Sequence, residues 1–148
     1  MNKMNRKVEY ALIALKHMSS KTPGELTSAK EVVENTGVPF DATARVMQQM
    51  AQAGLLRSEQ GARGGYSIIR DLSKTNFHDL IEVILGPTGI SKCIHGECEL
   101  ISSCNIVNPV SVLNKKLIDF YKSVTLKELL KIKEAQQAEA APSGEINQ

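Results

Sequence analysis

At 148 residues and 16.2 kDa, with 42% hydrophobic and 23% charged residues, the chain suits one packed domain plus an appendage and is too apolar for a disordered one. Its longest apolar run, residues 10–15, is six residues where a bilayer-spanning helix takes about 20, and residues 1–7 lead into no signal-peptide pattern, so a cytoplasmic protein without membrane contact is expected. The net charge of +2 hides an asymmetry. Up to Lys74 there are 11 Lys and Arg against 7 Asp and Glu, beyond it 7 against 9, and all five arginines lie in the first part. That part is suited to a polyanion, with plain solvation of helix faces as the alternative.

Val8, Ala11, Leu12, Leu15 and Met18 recur at helical steps and predict a first helix over 5–18 with one buried stripe. Thr22-Pro23-Gly24 breaks it, and Thr27 or Ser28 caps a short second helix with Val32 and Val33 apolar and Asn35-Thr36-Gly37 as its stop. After Val38-Pro39 a third helix is predicted over about 40–52, with Phe40, Ala44, Met47 and Met50 or Ala51 facing inward and Gly54 closing it. Two short helices joined by a tight turn form a helix-turn-helix.

Leu55, Leu56 and Arg57 then lead into Gly61-Ala62-Arg63-Gly64-Gly65 and out through Tyr66, Ser67, Ile68 and Ile69, a hairpin or wing. A nucleotide loop is rejected, because a strand and not a helix follows the glycines and no Lys-Ser/Thr ends them. Helix, helix-turn-helix and wing in this order make a winged-helix DNA reader, its third helix entering a major groove. Arg45, with Thr43 and Gln48 or Gln49, is placed to read base edges or phosphates. Arg63 between the glycines assigns the wing tip to the minor groove, a plain hairpin turn without function being the alternative, and Arg57 joins the DNA-binding set.

From Thr75 a fourth helix carries Phe77, Leu80, Ile81 and Ile84 and ends at Gly86-Pro87. A loop over 86–105 follows, and a loop that long in a compact domain is usually functional or disordered. A long helix over 106–121 has Val110, Leu113, Leu117 and Phe120 or Tyr121 in register, an apolar stripe that a symmetric partner helix would cover, intramolecular packing being the alternative. Thr125-Leu126-Lys127-Glu128 is a capping box before Leu129, Leu130 and Ile132, and a flexible tail is expected from residue 135. The expected class is therefore mainly α with a small β wing: a winged helix-turn-helix over 1–74, a cysteine loop and dimerisation helix over 75–134, and a tail over 135–148.

The loop holds all three cysteines, Cys93, Cys98 and Cys104, spaced C-x4-C-x5-C. An odd set of thiols on one flexible loop suits a soft metal centre better than a disulfide framework. By spacing alone an iron-sulfur cluster, a zinc ion, and a thiol switch or inert buried thiols all stay open. His95, Glu97, Glu99, Asn105 and the distant Glu9 are candidate fourth donors. No catalytic triad or paired carboxylates appear, and His17, His78 and His95 have no matched spacing, so an enzyme is not expected.

Tyr10-Ala11, Ala53-Gly54-Leu55, the Gly61-Ala62-Arg63-Gly64-Gly65-Tyr66 wing, the three-cysteine loop and Thr125-Leu126-Lys127-Glu128-Leu129 together resemble the IscR/NsrR family of bacterial iron-sulfur winged-helix transcription regulators, over roughly residues 4–132. The resemblance implies a homodimer on double-stranded DNA and a cluster, ligated by Cys93, Cys98 and Cys104, whose state sets operator affinity in response to redox, nitric oxide or iron. The first cysteine gap is one residue shorter than the common spacing. Val107 stands where the IscR branch has its histidine, whereas Glu9 matches the carboxylate that the NsrR branch supplies from the other subunit. The resemblance thus implies Glu9 as the fourth ligand in trans and favours a 4Fe-4S over a 2Fe-2S cluster. A zinc-stabilised or thiol-switch repressor without a cluster is the alternative.

Overall fold

The computed structural model describes residues 3–131; the calls on Ile132 and on the tail from residue 135 lie outside the described residues. The chain folds as α1 (Arg6–Ser19), α2 (Ala29–Thr36), α3 (Phe40–Gln52), β1 (Leu56–Glu59), β2 (Gly65–Ile68), α4 (Phe77–Leu85), a 3-10 turn (Lys92–His95), α5 (Val107–Ser123) and α6 (Leu126–Leu130). Local chemistry sets the boundaries. Asn5 and Ser28 accept hydrogen bonds from the first-turn amides of α1 and α2, and α2 stops where Gly37 turns left-handed, with φ +79. Asn76 and Asp79 cap α4 reciprocally, and Thr125 caps α6.

Within α1, Val8, Ala11, Leu15 and Met18 are buried as the periodicity requires, and Leu12 is half-buried. They pack with Val32 of α2, with Val46, Met47 and Met50 of α3, and with Leu55 and Leu56 entering β1. The same apolar cluster takes in Phe77, Leu80 and Ile84 of α4 and Leu126 and Leu130 of α6, so the elements from α1 to β2 and the C-terminal elements share one core. The ammonium of Lys16 donates to the Leu130 carbonyl at 2.7 Å, satisfying the C-terminal end of α6 from α1.

β1 and β2 pair antiparallel, Leu56 opposite Ile68 and Glu59 opposite Gly65. Thr27 adds a bridge to Tyr66, their amides and carbonyls exchanging two bonds of 2.9 Å, and this ties the wing to the entry of α2. Gly65 is required there: a Cβ on it would lie 2.8 Å from the Thr27 carbonyl oxygen. A second bridge, Asn76 to Thr125, lays the entries of α4 and α6 side by side.

Candidate nucleic-acid interface and cysteine loop

The rotational setting of α3 decides which of its side chains meet a ligand. Thr43, Val46, Met47 and Met50 form its buried face. Thr43 is fully buried, and its hydroxyl donates to the Pro39 carbonyl at 2.7 Å. Gln49 also turns away from solvent: its amide nitrogen donates to the Ile84 carbonyl of α4 at 3.2 Å, and its buried carbonyl oxygen has no hydrogen-bond partner. Thr43 and Gln49 are thereby removed from the predicted reading set, because both side chains are spent inside the fold. Phe40, expected in the core, is instead 52% exposed at the first turn of α3.

The outward stripe of α3 consists of Asp41, Arg45, Gln48 and Gln52, all exposed. Asp41 and Gln52 were not foreseen as part of it. Beside the stripe, Arg57 is exposed on β1 and Arg63 at the wing tip. An open hollow of about 460 Å³ between helix and wing is lined by Gln48, Gln52, Arg57 and Tyr66 among others. Arg70, in contrast, donates to the Ala53 carbonyl at 2.8 Å and so closes the end of α3. Near the end of α1, Lys21 and His17 converge on Glu31 of α2, with Lys21 Nζ at 2.8 Å and His17 Nε2 at 2.6 Å from Glu31 Oε2. The Lys21 hydrogen bond, then that of His17, holds the Glu31 carboxyl below its ordinary pKa.

The cysteine loop leaves α4 at Gly86, whose φ of +77 ends the helix. The buried Asn114 of α5 fixes it by accepting a bond from the Ile90 amide at 3.1 Å. Cys93, Cys98 and Cys104 are free thiols, all half-exposed. Each sits in a local turn: the Cys93 carbonyl accepts from Gly96, the Cys98 carbonyl accepts from Ile101, and the Cys104 amide donates to Leu100. His95, Glu97, Glu99 and Asn105 are exposed around them. Glu9 lies half-buried in the first turn of α1, with Arg6 3.9 Å away.

Among the described residues, no three His, Cys, Asp or Glu side chains gather into a group able to hold a metal ion. Within one chain, then, neither the three thiols nor Glu9 with two of them converge. The donor chemistry nevertheless suits iron, since the thiols are unpaired by any disulfide and the loop carrying them is open.

α5 carries an unpartnered apolar face. Val112, Leu113 and Phe120 are 56%, 57% and 61% exposed, while Tyr121 packs edge-on against Phe77 with ring centroids 5.2 Å apart. Leu113, predicted to lie on the stripe, is therefore uncovered in the single chain. Among the described residues no helix is long and apolar enough to cross a membrane.

A family model described as Rrf2, iron-dependent transcriptional regulator, matches residues 4–132. A relative from Aquifex aeolicus (strain VF5), described as an HTH-type transcriptional regulator, is 28% identical over 131 residues, covering 86% of this chain and 90% of that protein. The structure of CymR, the global cysteine regulator of B. subtilis, is similar with a TM-score of 0.70 at 20% identity, covering 90% of this chain and 100% of that one. T. potens IscR is similar with a TM-score of 0.63 at 23% identity, covering 92% of this chain and 91% of that one. At these identities the two structures speak for the winged-helix fold.

Proposed function

We infer, for a chain that belongs to the Rrf2 family of transcriptional regulators, that operator binding by its winged helix is set by the chemical state of its cysteine loop. Its relatives are regulators and not enzymes. Residues 1–74 read double-stranded DNA. Arg45 and Gln48 enter the major groove on α3, and Arg57 and Arg63 grip phosphates and the minor groove from the wing. Residues 75–134 carry the sensor and pair two copies through the apolar face of α5, because a helix with three large side chains more than half exposed needs a partner surface.

One observation carries the sensing half of this reading: three free, half-exposed thiols stand on a single loop whose entry follows directly from α4 and whose start is fixed to α5. Cys93, Cys98 and Cys104 would hold an iron-sulfur cluster, 4Fe-4S in preference to 2Fe-2S, with Glu9 of a second copy as fourth donor. Such a cluster supplies a centre labile to oxygen, nitric oxide or iron shortage. The chain's own part is to present the thiolates, and a carboxylate from α1 would link sensor and reading head across the dimer.

The test is purification without air, followed by an absorbance spectrum with iron and sulfide assays, on the wild type, Cys98→Ser and Glu9→Ala. Visible absorbance that is lost in Cys98→Ser and altered in Glu9→Ala is expected. Colourless, iron-free wild type ends the cluster reading, and an unchanged Glu9→Ala spectrum removes Glu9 as a ligand. Because the three thiols are free and half-exposed, and a disulfide needs only two of them to meet where a cluster needs all three, a second reading is a thiol switch. It requires a disulfide in the intact mass of oxidised protein and a matching change in operator affinity.

A further inference from the structure

Of the outward stripe on α3, Arg45 and Gln48 fit a DNA-reading role by their type, whereas Asp41 does not. Its carboxylate is exposed one turn before Arg45, on the side that faces the ligand in the function proposed above. Spacing of i to i+4 would let Asp41 and Arg45 neutralise each other, yet neither appears among the ion pairs formed by the described residues, while Lys30–Glu34 and Lys115–Asp119 at the same spacing do. Pro39 provides no side-chain cap to α3. Asp41 therefore has a blander role available, as a negative charge near the positive end of the helix. That role does not require the side chain to lie on the reading stripe.

A carboxylate brought into a groove walled by phosphates is repelled unless a base donates to it. The major-groove edge offers exocyclic amines on cytosine and adenine only, and adenine sets the acceptor N7 beside its amine. In the paired duplex the adenine amine has an acceptor on both sides, its own N7 and thymine O4, whereas the cytosine amine has one on a single side only, guanine O6, so a carboxylate meets less repulsion at cytosine. We propose that Asp41 is a specificity residue of this regulator, accepting a hydrogen bond from the N4 amine of a cytosine within two base pairs of the base that Arg45 contacts. The spacing follows from geometry, since four residues of helix rise about 6 Å and successive base pairs are about 3.4 Å apart. This assignment rests on the reading of α3 as the groove-entering helix and adds to it a base preference and a negative selector against other sequences.

The experiment is selection of binding sites from randomised duplexes by the full-length protein, followed by affinity measurements on every single-base variant of the selected site. Wild type, Asp41→Ala and Asp41→Asn are compared. The wild type is expected to prefer cytosine at one position per half-site by about tenfold. Asp41→Ala should flatten that position to under about twofold and bind mismatched duplex more tightly than the wild type, since a repulsive charge is gone. Asp41→Asn should move the preference at the same position toward adenine, whose N6 and N7 an amide matches. Unchanged base preference in both variants, or a uniform loss of affinity on all sequences, would overturn the assignment and leave Asp41 a helix-end charge. A wild type with no sequence preference at any position would instead overturn the DNA-reading function itself.

Discussion

Gln48 and Gln49 are neighbours of the same type, and the structure sets them differently, Gln48 exposed and Gln49 turned inward. The Gln49 amide bonds the Ile84 carbonyl, while its carbonyl oxygen is buried without a partner. Replacing it by methionine removes a hydrogen bond worth about 0.5–1.5 kcal/mol and leaves the Ile84 oxygen without that donor, but it also removes an orphaned acceptor costing about 1–3 kcal/mol. With side-chain volume roughly kept, the net effect of Gln49→Met should stay within about 1 kcal/mol, a Tm change of about 4 °C or less for a chain of this size. Gln49→Ala additionally exposes the lost packing of the chain beyond Cβ and should cost about 1–3 kcal/mol. Gln48→Ala should leave Tm unchanged while weakening operator binding about 5- to 150-fold, the range for one base contact. Fluorescence anisotropy on an operator duplex, paired with thermal melts at one protein concentration, separates the two. If Gln49→Met weakened operator binding as much as Gln48→Ala at an unchanged Tm, the rotational setting of α3 would be wrong and the corrected reading face with it.

Gly65→Ala forces a Cβ to within 2.8 Å of the Thr27 carbonyl, so the wing should detach from α2 at a cost of about 1–3 kcal/mol, visible as a lower Tm and weaker DNA binding; a neutral result would mean that the Thr27–Tyr66 bridge is dispensable. The Glu31 carboxyl is held below its ordinary value of 4.5 by Lys21 and then His17, so its contribution is complete above pH 4.5 and fades as pH falls through the lower folded-state value. The stability gap between wild type and Glu31→Gln should therefore close on acidification below that point, and a gap constant with pH would exclude this ion network as its source. Leu113→Lys combined with Phe120→Lys should leave the fold intact, since both side chains are exposed in the single chain, yet shift sedimentation from dimer to monomer; an unaltered sedimentation coefficient would place the pairing surface elsewhere.

The elements were legible in the sequence because their punctuation is local. Ser28, Gly37, Asn76 and Thr125 act through bonds to residues a few positions away, and the glycine-rich tip closes on itself where the Gly64 amide meets the Gly61 carbonyl. The rotational phase of α3 was not legible, and the reason is specific. Phe40 is apolar and stands one turn before the inward-facing residues, so a stripe drawn by hydrophobicity alone includes it and excludes Thr43. The fold does the reverse, because the Thr43 hydroxyl satisfies itself on the Pro39 carbonyl, a bond that makes threonine acceptable in a core, while Phe40 stands 52% exposed.

The arginine count, which points toward DNA as the family does, overstates the charge at hand. It points the first half of the chain toward a polyanion, but Arg70 closes α3, and Lys16 and Lys21 are consumed within the fold. The charge left for DNA is therefore smaller than the arithmetic of the sequence, and the proposed function draws on Arg45, Arg57 and Arg63 from it. The cysteines divide differently again. Spacing along one loop identifies donor type and number, which are properties of the chain, whereas convergence of the thiols is a property of packing, and a single copy does not provide it. A carboxylate on α1 and an uncovered apolar face on α5 are what a second copy would bring to such a loop. Cluster content and oligomeric state should for that reason be lost together when the α5 face is charged, although none of the substituted residues is a proposed ligand.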